Sequence, residues 1–303
     1  MKDNGKITIL LAYPHNPGTT GWYLERALKK LCNVLTYDLN QTPLWKSKYS
    51  FDFPTGIPKS IQQVIRFTGT VPDAVLEVDG DGKYHLTGYR RLKIPAFYWA
   101  IDSHSEYKRS FQRLIAKDFE HIFVAQKEYL SMFAKMGKSV SWLPLACDPE
   151  IHHPYPQEQK KYDVVFVGNL NSPKRRELLN KLSSKFKVGI LTGLKPTEMA
   201  RAYSMAPLAF NCSVSNDINM RIFEALACGR LLLTDQIRNN GFDELFTDRE
   251  HLVIYDDSTL EPYVKHYLDN PSEIERISKN GFDLVTSRHT YLDRAKKLLS
   301  RIC

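Results

Sequence analysis

The sequence has no long hydrophobic run. No stretch of about 18 apolar residues occurs among its 303 residues, so no segment qualifies as a membrane-spanning helix. Residues 1–5 are polar and lead directly into an apolar segment, without the basic start and apolar middle of a signal peptide. We therefore expect a cytoplasmic protein.

Cysteine is sparse and lacks the spacing of a disulfide or metal site. The five cysteines are odd in number and scattered along the chain (Cys32, Cys147, Cys212, Cys228 and Cys303), which argues against a disulfide framework and a zinc site. His152 and His153 lie in a proline-rich stretch without metal-ligand spacing, and we interpret them as surface residues. The sequence predicts buried reduced thiols, no metal and no cofactor.

Signatures of dinucleotide and nucleic-acid binding are also missing. No G-x-G-x-x-G follows the first predicted strand, and Asp38 lies inside the second strand, so a nicotinamide cofactor is disfavoured. The net charge is +8, but the basic residues are dispersed and no nucleic-acid motif is present. The charge favours anionic ligands such as nucleotide diphosphates, or a weak association with an anionic membrane surface.

What the sequence does contain is a repeated alternation of apolar strands and amphipathic helices. In the first half, strands are predicted at residues 6–13, 34–39, 74–78, 96–101 and 121–125, and helices at 22–31, 108–119 and 127–136. Residues 147–161 contain three prolines and no apolar periodicity, which is typical of a linker. In the second half, strands are predicted at residues 162–167, 188–191, 208–212, 231–234 and 251–255, and helices at 174–186, 197–204, 220–228, 260–268, 272–282 and 290–302.

This alternation predicts an α/β protein with two Rossmann-like domains, residues 1–155 and 156–303, and a cleft between them. Strands that alternate with helices pair in parallel through right-handed crossovers. Ligands of such sheets bind beyond the carboxyl ends of the strands, so the loops that follow strands are the candidate sites. We interpret residues 41–69 either as a flap on the side of the cleft that would bind an acceptor substrate, or as a covering loop and helix. We expect residues 79–82 to form a tight turn.

The loop after the first strand contains Gly18, Thr19, Thr20 and Gly21 and opens a helix. Glycine allows close approach of a ligand to the backbone, and a helix N-terminus attracts anions. The loop therefore either contributes to a binding site in the cleft or only connects the strand to the helix.

A second glycine loop follows the first strand of the second half. Gly168 and Asn169 precede a capping serine, a proline and three cations. Lys174 and Arg175 at a helix N-terminus oppose the helix dipole unless an anion lies nearby. We interpret them as ligands of a diphosphate, with a solvated run of charges as the alternative.

Residues 216–229 are the most informative segment. Asn219 can cap the following helix, and Arg221 and Glu224 are three residues apart on one helical face. A carboxylate among apolar neighbours must be paired or must bind a polar ligand. Glu224 therefore either forms a salt bridge with Arg221, or grips ribose hydroxyls while Arg221 binds phosphates. Three residues at or near strand ends are assigned to the same donor-nucleotide site: Thr192, Gly193 and Asn211.

Polar residues also follow a buried strand in the first half. Asp102, Ser103 and His104 come directly after the strand at residues 96–101. Asp102 or His104 could orient or deprotonate an acceptor hydroxyl. The alternative is a helix N-cap formed by Ser103 or Ser105.

Several of these segments resemble a known family. Residues 219–234 (NMRIFEALACGRLLLT) resemble the C-terminal motif of spore-maturation (CgeB-type) glycosyltransferases, relatives of glycosyltransferase family 4. Residues 121–144, residues 166–176 (FVGNLNSPKRR) and the pair His289-Thr290 resemble the same family. The resemblance covers most of the chain from about Pro95 onward. It implies the GT-B fold, in which the C-terminal helix packs back on the first domain.

The resemblance also implies a reaction. A sugar would pass from a nucleotide-diphosphate sugar to a hydroxyl of a polysaccharide, protein or small molecule, without metal and with retention of configuration. Glu224 corresponds to the second glutamate of the family's E-x7-E motif, which holds the donor ribose; Lys174 or Arg175 and Arg221 would steady the diphosphate. Asn216 replaces the first glutamate, which contacts the sugar.

We group Asn216 with Asp102 and His104 as candidate catalytic residues. Two alternatives to a transferase stay open, and the departure from glutamate at residue 216 motivates the first of them. One is a non-catalytic nucleotide- or carbohydrate-binding protein derived from a transferase. The other is a nucleotide-sugar epimerase, which shares the two-domain layout.

Overall fold

The computed structural model describes residues 6–39, 60–79, 85–91, 93–213 and 215–302. The chain divides into two units, the first comprising residues 1–144 and 294–303 and the second residues 145–293. The sequence analysis placed this boundary at residue 155 and gave the last helix to the second domain, so the two divisions differ at both points. Residues 41–59 of the candidate flap and residues 80–82 of the predicted turn lie outside the described residues.

The first unit is built on a parallel sheet of six strands in the order β2-β1-β3-β4-β5-β6. The strands are β1 (Thr8–Tyr13), β2 (Asn33–Asp38), β3 (Ala74–Val78), β4 (Ala96–Ala100), β5 (His121–Val124) and β6 (Ser139–Trp142). The central strands β3 and β4 are buried along their whole length, as expected for parallel strands covered on both faces. Both strands are predominantly apolar, apart from Glu77 in β3, and this is why they could be predicted.

Four α-helices of the first unit cover this sheet: α1 (Thr20–Leu28), α2 (Ile61–Thr68), α3 (Glu106–Ile115) and α4 (Leu130–Ala134). Helix α2 begins at a capping box formed by Ser60 and Gln63 and ends at Gly69 in the left-handed conformation. Its Val64 packs in one apolar cluster with Ile115 of α3 and strand residues such as Tyr98. These residues form one apolar core of the first unit.

The second unit has a parallel sheet of five strands in the order β11-β10-β9-β7-β8. The strands are β7 (Val164–Val167), β8 (Val188–Leu191), β9 (Leu208–Phe210), β10 (Leu231–Asp235) and β11 (Val253–Tyr255). Strand β8 lies on one side of β7 and β9 on the other. The direction of strand addition therefore reverses between β7 and β9, which is where ligands bind in doubly wound sheets.

The helices of the second unit are α5 (Pro173–Ser183), α6 (Pro196–Ser204), α7 (Met220–Ala227), α8 (Phe242–Leu245), α9 (Leu260–Asp269) and α10 (Pro271–Arg288). Ser172 caps α5 by accepting a hydrogen bond from the Arg175 amide, and Pro173 occupies the first turn. The predicted α/β architecture with two parallel Rossmann-like sheets is confirmed.

The last helix, α11 (Tyr291–Ile302), begins in the second unit and continues in the first. Arg294 Nε donates to the carbonyl oxygen of Pro144 at 2.7 Å, and Lys297 Nζ donates to that of Trp142 at 3.0 Å. These contacts confirm that the C-terminal helix packs back on the first domain. None of the helices in the described ranges combines the length and the hydropathy that a bilayer-spanning segment requires.

The segment predicted as a linker, residues 147–161, belongs to the second unit. The Cys147 amide donates to the His289 carbonyl at 3.1 Å, and the Tyr291 amide donates to the Cys147 carbonyl at 2.8 Å. These partners are distant in the chain, so local composition could not reveal them. Proline content marked the segment as irregular, but its backbone is anchored.

Candidate donor site of the second unit

Arg221 lies at the point where the sheet of the second unit reverses its strand order. Its Nε donates to the carbonyl oxygen of Val167, the last residue of β7, at 2.6 Å. Its Nη1 donates to Asn211 Oδ1, just past β9, at 2.7 Å. The guanidinium therefore bridges the carboxyl ends of both strands, in the place where doubly wound sheets bind ligands.

Gly168 makes this position available to Arg221. A Cβ at residue 168 would come within 2.5 Å of Arg221 Nη2, and the residue has φ +147°. The guanidinium also lies 5.0 Å from the ring centre of Phe166, within range of a cation–π contact. Two of its donors are used, and the remaining N–H groups have no hydrogen-bond partner among the described residues. They can bind an anion.

Asn211 fixes Arg221. The side chain is fully buried, and its Oδ1 accepts from both Arg221 and Asn219 Nδ2, the latter at 3.3 Å. Its Nδ2 donates to Thr234 Oγ1 at 2.9 Å, and its carbonyl accepts from the Tyr255 hydroxyl at 2.8 Å. Asn211, predicted to bind nucleotide, therefore supports the arginine, and Thr234 and Tyr255 are supporting residues that the sequence analysis missed.

Glu224 follows Arg221 on helix α7 and is only 3% exposed. Among the described residues it accepts no hydrogen bond and forms no ion pair with Arg221, so the salt bridge considered from the sequence is absent. Burial raises the pKa of Glu224 to about 7, although the charge of Arg221 lowers it. Some described side-chain atoms are fully buried and have no hydrogen-bond partner, but the Glu224 oxygens are not among them. Because these oxygens accept no hydrogen bond from the described residues, they must keep some contact with solvent.

His152 is the polar neighbour of Glu224, which corrects its interpretation as a surface residue. The side chain is fully buried, and Nε2 lies 3.7 Å from Glu224 Oε1. Its Nδ1 accepts a hydrogen bond from the Asp148 amide at 3.1 Å. Burial, together with the neighbouring His153, lowers the pKa of His152 to about 3. The imidazole is therefore neutral at physiological pH and carries its proton on Nε2.

The two cations predicted to bind diphosphate have other partners. Arg175 is 3% exposed, and its guanidinium donates to the carbonyls of Asn169 and Cys212, both at 2.8 Å. It therefore ties together the loops that follow β7 and β9. Lys174 is exposed and pairs with Asp257 at 3.0 Å, an ion pair of the kind that contributes little to stability. Their role as direct phosphate ligands stays a prediction.

The other residues predicted to bind the donor nucleotide lie around Arg221 and differ in how exposed they are. Asn169 is exposed, whereas Asn219 is the N-cap residue of α7 and its Oδ1 is sealed without a partner among the described residues. Thr192 and Gly193 are exposed at the end of β8, the strand next to β7. The structure thus gathers Gly168, Asn169, Asn211, Asn219, Arg221 and Glu224 around β7, β9 and α7, with Thr192 and Gly193 one strand away.

Asn216 holds two loops together. Its Nδ2 donates to the Arg238 carbonyl at 2.6 Å, and its Oδ1 accepts from the Arg238 amide at 2.7 Å. Asn240 Nδ2 donates to the Asn216 carbonyl at 2.9 Å. Because both ends of the amide are bonded to backbone, these contacts favour a structural role over the predicted catalytic one.

In the first unit, Asp102 lies just past β4 with φ +55°. Lys108 bonds to Asp102 Oδ2 at 3.0 Å and to Asp79 Oδ1 at 2.7 Å. Ser105 is the N-cap residue of α3 but makes no side-chain capping bond, and the hydroxyl of Ser103 donates elsewhere, to Gln112. Side-chain capping is therefore not their role.

His104 lies in the same turn as Asp102, and its carbonyl accepts from Arg109 Nη1 at 3.3 Å. The assignment of Asp102 and His104 to catalysis stays a prediction.

The loop between β1 and α1 has clear packing reasons for its composition. A Cβ at Gly21 would lie 2.3 Å from the Tyr13 ring, so glycine is required there by a close approach. Thr19 Oγ1 donates to the Asn16 carbonyl at 2.7 Å, which closes the turn that contains Gly18 and precedes Thr20. These contacts explain the loop without a ligand, and its role in binding stays a prediction.

Residues 150–300 match the family described as glycosyl transferase-like. No curated protein matches the sequence significantly. The fold is similar to that of sucrose-phosphate synthase from Thermosynechococcus elongatus, at 11% identity over 98% of each chain with a TM-score of 0.69. It is also similar to that of Anabaena HepE in complex with UDP and glucose, at 13% identity over 98% of this chain and 99% of HepE with a TM-score of 0.70.

A third fold neighbour is a UDP-N-acetylglucosamine 2-epimerase, at 13% identity over 98% of this chain and 95% of the epimerase with a TM-score of 0.59. Identities this low show a shared fold and carry no residue roles. All three neighbours match along nearly the whole chain, so the two-sheet architecture is common to them.

Proposed function

We propose that this chain, which has the GT-B fold and is glycosyl transferase-like over residues 150–300, transfers a sugar from a nucleotide-diphosphate sugar to an acceptor hydroxyl. One observation carries the proposal. Helix α7 holds both a guanidinium fixed at the strand-order reversal and a nearly buried carboxylate that accepts no hydrogen bond from the described residues. A nucleotide has a partner for each group: its phosphates are anions that the guanidinium can bind, and its ribose hydroxyls can donate hydrogen bonds to the carboxylate.

In the proposed reaction the second unit binds the donor. Arg221 and the N-terminal amides of α7 stabilise the negative charge that develops on the leaving diphosphate. Glu224, in its ionised form, accepts hydrogen bonds from the two ribose hydroxyls. We assign the charge stabilisation to these groups instead of a metal ion, and retention of anomeric configuration follows from the family resemblance.

The acceptor side belongs, in this proposal, to the first unit. Asp102 lies at the carboxyl end of β4, where an acceptor hydroxyl can be oriented, and Lys108 holds its carboxylate in place. His104, two residues further, is the candidate base. Acceptors consistent with the CgeB-type resemblance are polysaccharides, protein side chains and small molecules, and we expect the reaction to take place in the cytoplasm.

A weak association with anionic membrane surfaces is part of the proposal. Arg90 Nη2 and Lys138 Nζ both donate to the Lys117 carbonyl at 3.2 Å, which brings several cations together on the first unit. A cavity of about 560 Å³ beside them is lined by Arg66, Arg90 and Arg91. Phe67 on α2 is 53% exposed next to Arg66. Cations mixed with exposed apolar side chains suit a lipid surface.

The direct test of the proposed function is thermal stabilisation by UDP, GDP, ADP or TDP. A ligand at about 100 times its Kd stabilises by about 2.7 kcal/mol, which raises Tm by several degrees in a unit of this size. Glu224→Gln should remove most of the shift, whereas Glu250→Gln, an exposed carboxylate of the same unit, should retain it. If none of the four nucleotides shifts Tm, the proposal is rejected.

Product analysis separates the transferase from the alternatives. The bonding of Asn216 to the Arg238 backbone favours a protein that binds without turnover, and the third fold neighbour is an epimerase. A labelled UDP-sugar incubated without acceptor would change configuration with an epimerase. It would stay intact with a binding protein even after acceptors are added, and only a transferase would label an acceptor.

A further inference from the structure

A cavity of about 560 Å³ lies in the first unit between helix α2 and the turn at residues 87–91. The Ile61 amide donates to the Thr87 carbonyl, and Gln62 Nε2 donates to the Gly88 carbonyl, both at 3.0 Å. Gly88 has φ +89°, a left-handed conformation that favours glycine. These bonds hold the turn against the helix, so the two walls of the cavity are fixed to each other.

Positive charge exceeds negative charge on the described lining of this cavity. Arg66 on α2 and Arg90 and Arg91 in the turn contribute to it. Asp118 is the one carboxylate among the described lining residues; it pairs with Arg90 Nε at 3.1 Å and lies 3.3 Å from His85 Nε2. The side chains of Arg66 and Arg91 form no hydrogen bond or ion pair with any residue that the structure describes. Both guanidinium groups can therefore bind an anion.

The lysine beside Arg90 shows the same excess of positive charge. Lys138 Nζ donates to the Phe119 carbonyl at 2.9 Å and to the carbonyl of Lys117, which also accepts from Arg90. Burial, and then the charge of Arg90, lower the pKa of Lys138, although Asp118 raises it. Repulsion between neighbouring cations is relieved when an anion binds among them.

The cavity lies away from the residues assigned to the acceptor. Arg90 and Arg91 precede β4, and Asp118 precedes β5, whereas Asp102 follows β4. The amino ends of these parallel strands share one edge of the sheet, and the carboxyl ends, beyond which substrates bind, share the other. A ligand in the cavity therefore takes no part in the transfer step, and the cavity is a separate binding site.

We propose that this cavity binds the phosphate group of a phosphomonoester through Arg66 and Arg91. A phosphomonoester carries about 1.5 to 2 negative charges at pH 7, which match two guanidinium groups better than the single charge of a carboxylate does. The volume lies in the range of small-molecule pockets and exceeds that of a bare phosphate ion, so a group of the size of a sugar fits beside the phosphate. The inference goes beyond membrane association through surface charge, and it does not depend on sugar transfer.

Titration calorimetry with glucose 6-phosphate tests the site directly. At about 50 mM NaCl, where screening is weaker than at physiological salt, the wild type should bind this ester, whereas glucose should give no binding heat. Glucuronate, which has one carboxylate, should bind about tenfold more weakly. Arg66→Ala with Arg91→Ala should weaken the binding of glucose 6-phosphate about a hundredfold, since each charge-assisted hydrogen bond is worth about tenfold in affinity.

The matched control is Arg113→Ala with Lys135→Ala. It removes the same charge from exposed residues of the first unit outside the described lining of the cavity, and it should keep the wild-type affinity. Equal weakening in both double variants overturns the proposal, because net charge alone would then attract the ligand. Equal affinity for glucuronate and glucose 6-phosphate also overturns it.

Vesicles identify the source of the phosphate, because phosphatidic acid carries a phosphomonoester and phosphatidylglycerol a diester. At equal surface charge, stronger sedimentation with phosphatidic acid that is lost in Arg66→Ala with Arg91→Ala assigns the site to a lipid headgroup. Binding of glucose 6-phosphate without this preference assigns the site to a soluble ester. If neither phosphomonoester binds through the two arginines, the proposal is overturned.

UDP separates this proposal from the proposed function, which places the nucleotide in the second unit. Arg66→Ala with Arg91→Ala should therefore bind UDP with wild-type affinity. A protein that binds glucose 6-phosphate through the two arginines but binds no nucleotide rejects the transferase and keeps the phosphate site. If excess UDP displaces glucose 6-phosphate, the sugar phosphate occupies the nucleotide site, and the proposal is overturned.

Discussion

Gly168 shows how a missing side chain determines the place of a functional one. Arg221 Nη2 occupies the space that a Cβ at residue 168 would need, at 2.5 Å. Gly168→Ala should therefore displace the guanidinium from β7 and lower UDP affinity by about tenfold or more, since a charge-assisted contact is lost. The strained backbone should also cost about 1–3 kcal/mol of stability. Titration calorimetry and urea unfolding measure the two effects.

The control for this prediction is Gly137, another glycine with positive φ. Its φ is +73°, and a Cβ there would meet nothing within 4 Å. Gly137→Ala should cost about 1 kcal/mol through backbone strain alone and leave UDP binding unchanged. Equal loss of affinity in both variants would mean that general destabilisation, and not the displacement of Arg221, weakens binding.

Spacing along one helix carried the clearest residue-level signal in the sequence. It predicted that Arg221 and Glu224 share a helical face, and both lie on α7; their role in nucleotide binding stays a prediction. His152 could not be found in this way. Its burial depends on packing of the 148–152 turn beside α7, and no local pattern in a proline-rich stretch encodes a contact 72 residues away.

The connection between β3 and β4 contains a charge cluster that should make the first unit sensitive to pH. His85 Nδ1 lies 3.0 Å from both oxygens of Glu77, and Nε2 lies 3.3 Å from Asp118. Glu77 is fully buried and also accepts from the Tyr89 hydroxyl at 2.7 Å. Burial of His85 opposes protonation, but the two carboxylates outweigh it and raise the pKa of the imidazole.

A raised pKa in the folded state gives stability that is complete below the unfolded-state pKa of about 6.5 and is lost as pH rises through the folded value. The free energy of unfolding of the first unit should therefore fall as pH rises above about 6.5. All four tryptophans, Trp22, Trp45, Trp99 and Trp142, belong to this unit. Tryptophan fluorescence during urea unfolding consequently reports on it.

Removal of the His85 imidazole should abolish the pH dependence of the free energy of unfolding. His85→Leu leaves Glu77 as a buried carboxylate without its ionic partner, at a cost of about 3–5 kcal/mol near pH 6. His121→Gln is the control, because burial and then Arg301 lower the pKa of His121 to about 4 and keep it neutral. If His85→Leu keeps the wild-type slope above pH 6.5, another group is responsible.

At the level of elements, the sequence predicts best the strands that contain short runs of branched apolar residues. The exact bounds of β3 and β8 were predicted from such runs, although β3 is buried along its whole length and β8 is an edge strand with only one buried residue. Strand β6 was missed because its sequence, SVSW, contains no apolar run. Helix α8 was not predicted, since it has only four residues and no side-chain cap. Helix α2 lies within residues 41–69, for which a covering loop and helix was one of the two alternatives.

On the scale of the whole molecule, the net charge of +8 is distributed in a way that composition alone does not show. In the described part of the first unit, Arg66, Arg90 and Arg91 line one cavity, and Arg90 adjoins Lys117 and Lys138. Asp118 is the acidic residue of that cavity, and it is bonded to Arg90 and His85. Local positive charge therefore exceeds negative charge, which favours an anionic surface as partner.

Binding to this surface should depend on lipid charge and salt. The protein should sediment with vesicles containing phosphatidylglycerol at about 50 mM NaCl and be released near 0.5 M, because screening shortens the reach of surface charges. Arg90→Glu with Arg91→Glu should abolish sedimentation. The control double variant, Lys265→Glu with Lys279→Glu, changes the net charge by the same amount at exposed sites of the second unit. It should retain most of the sedimentation with vesicles. If both double variants lose sedimentation equally, membrane binding depends on total charge and not on this cluster. If the protein also sediments with vesicles of neutral phosphatidylcholine, binding depends on apolar contact at Phe67.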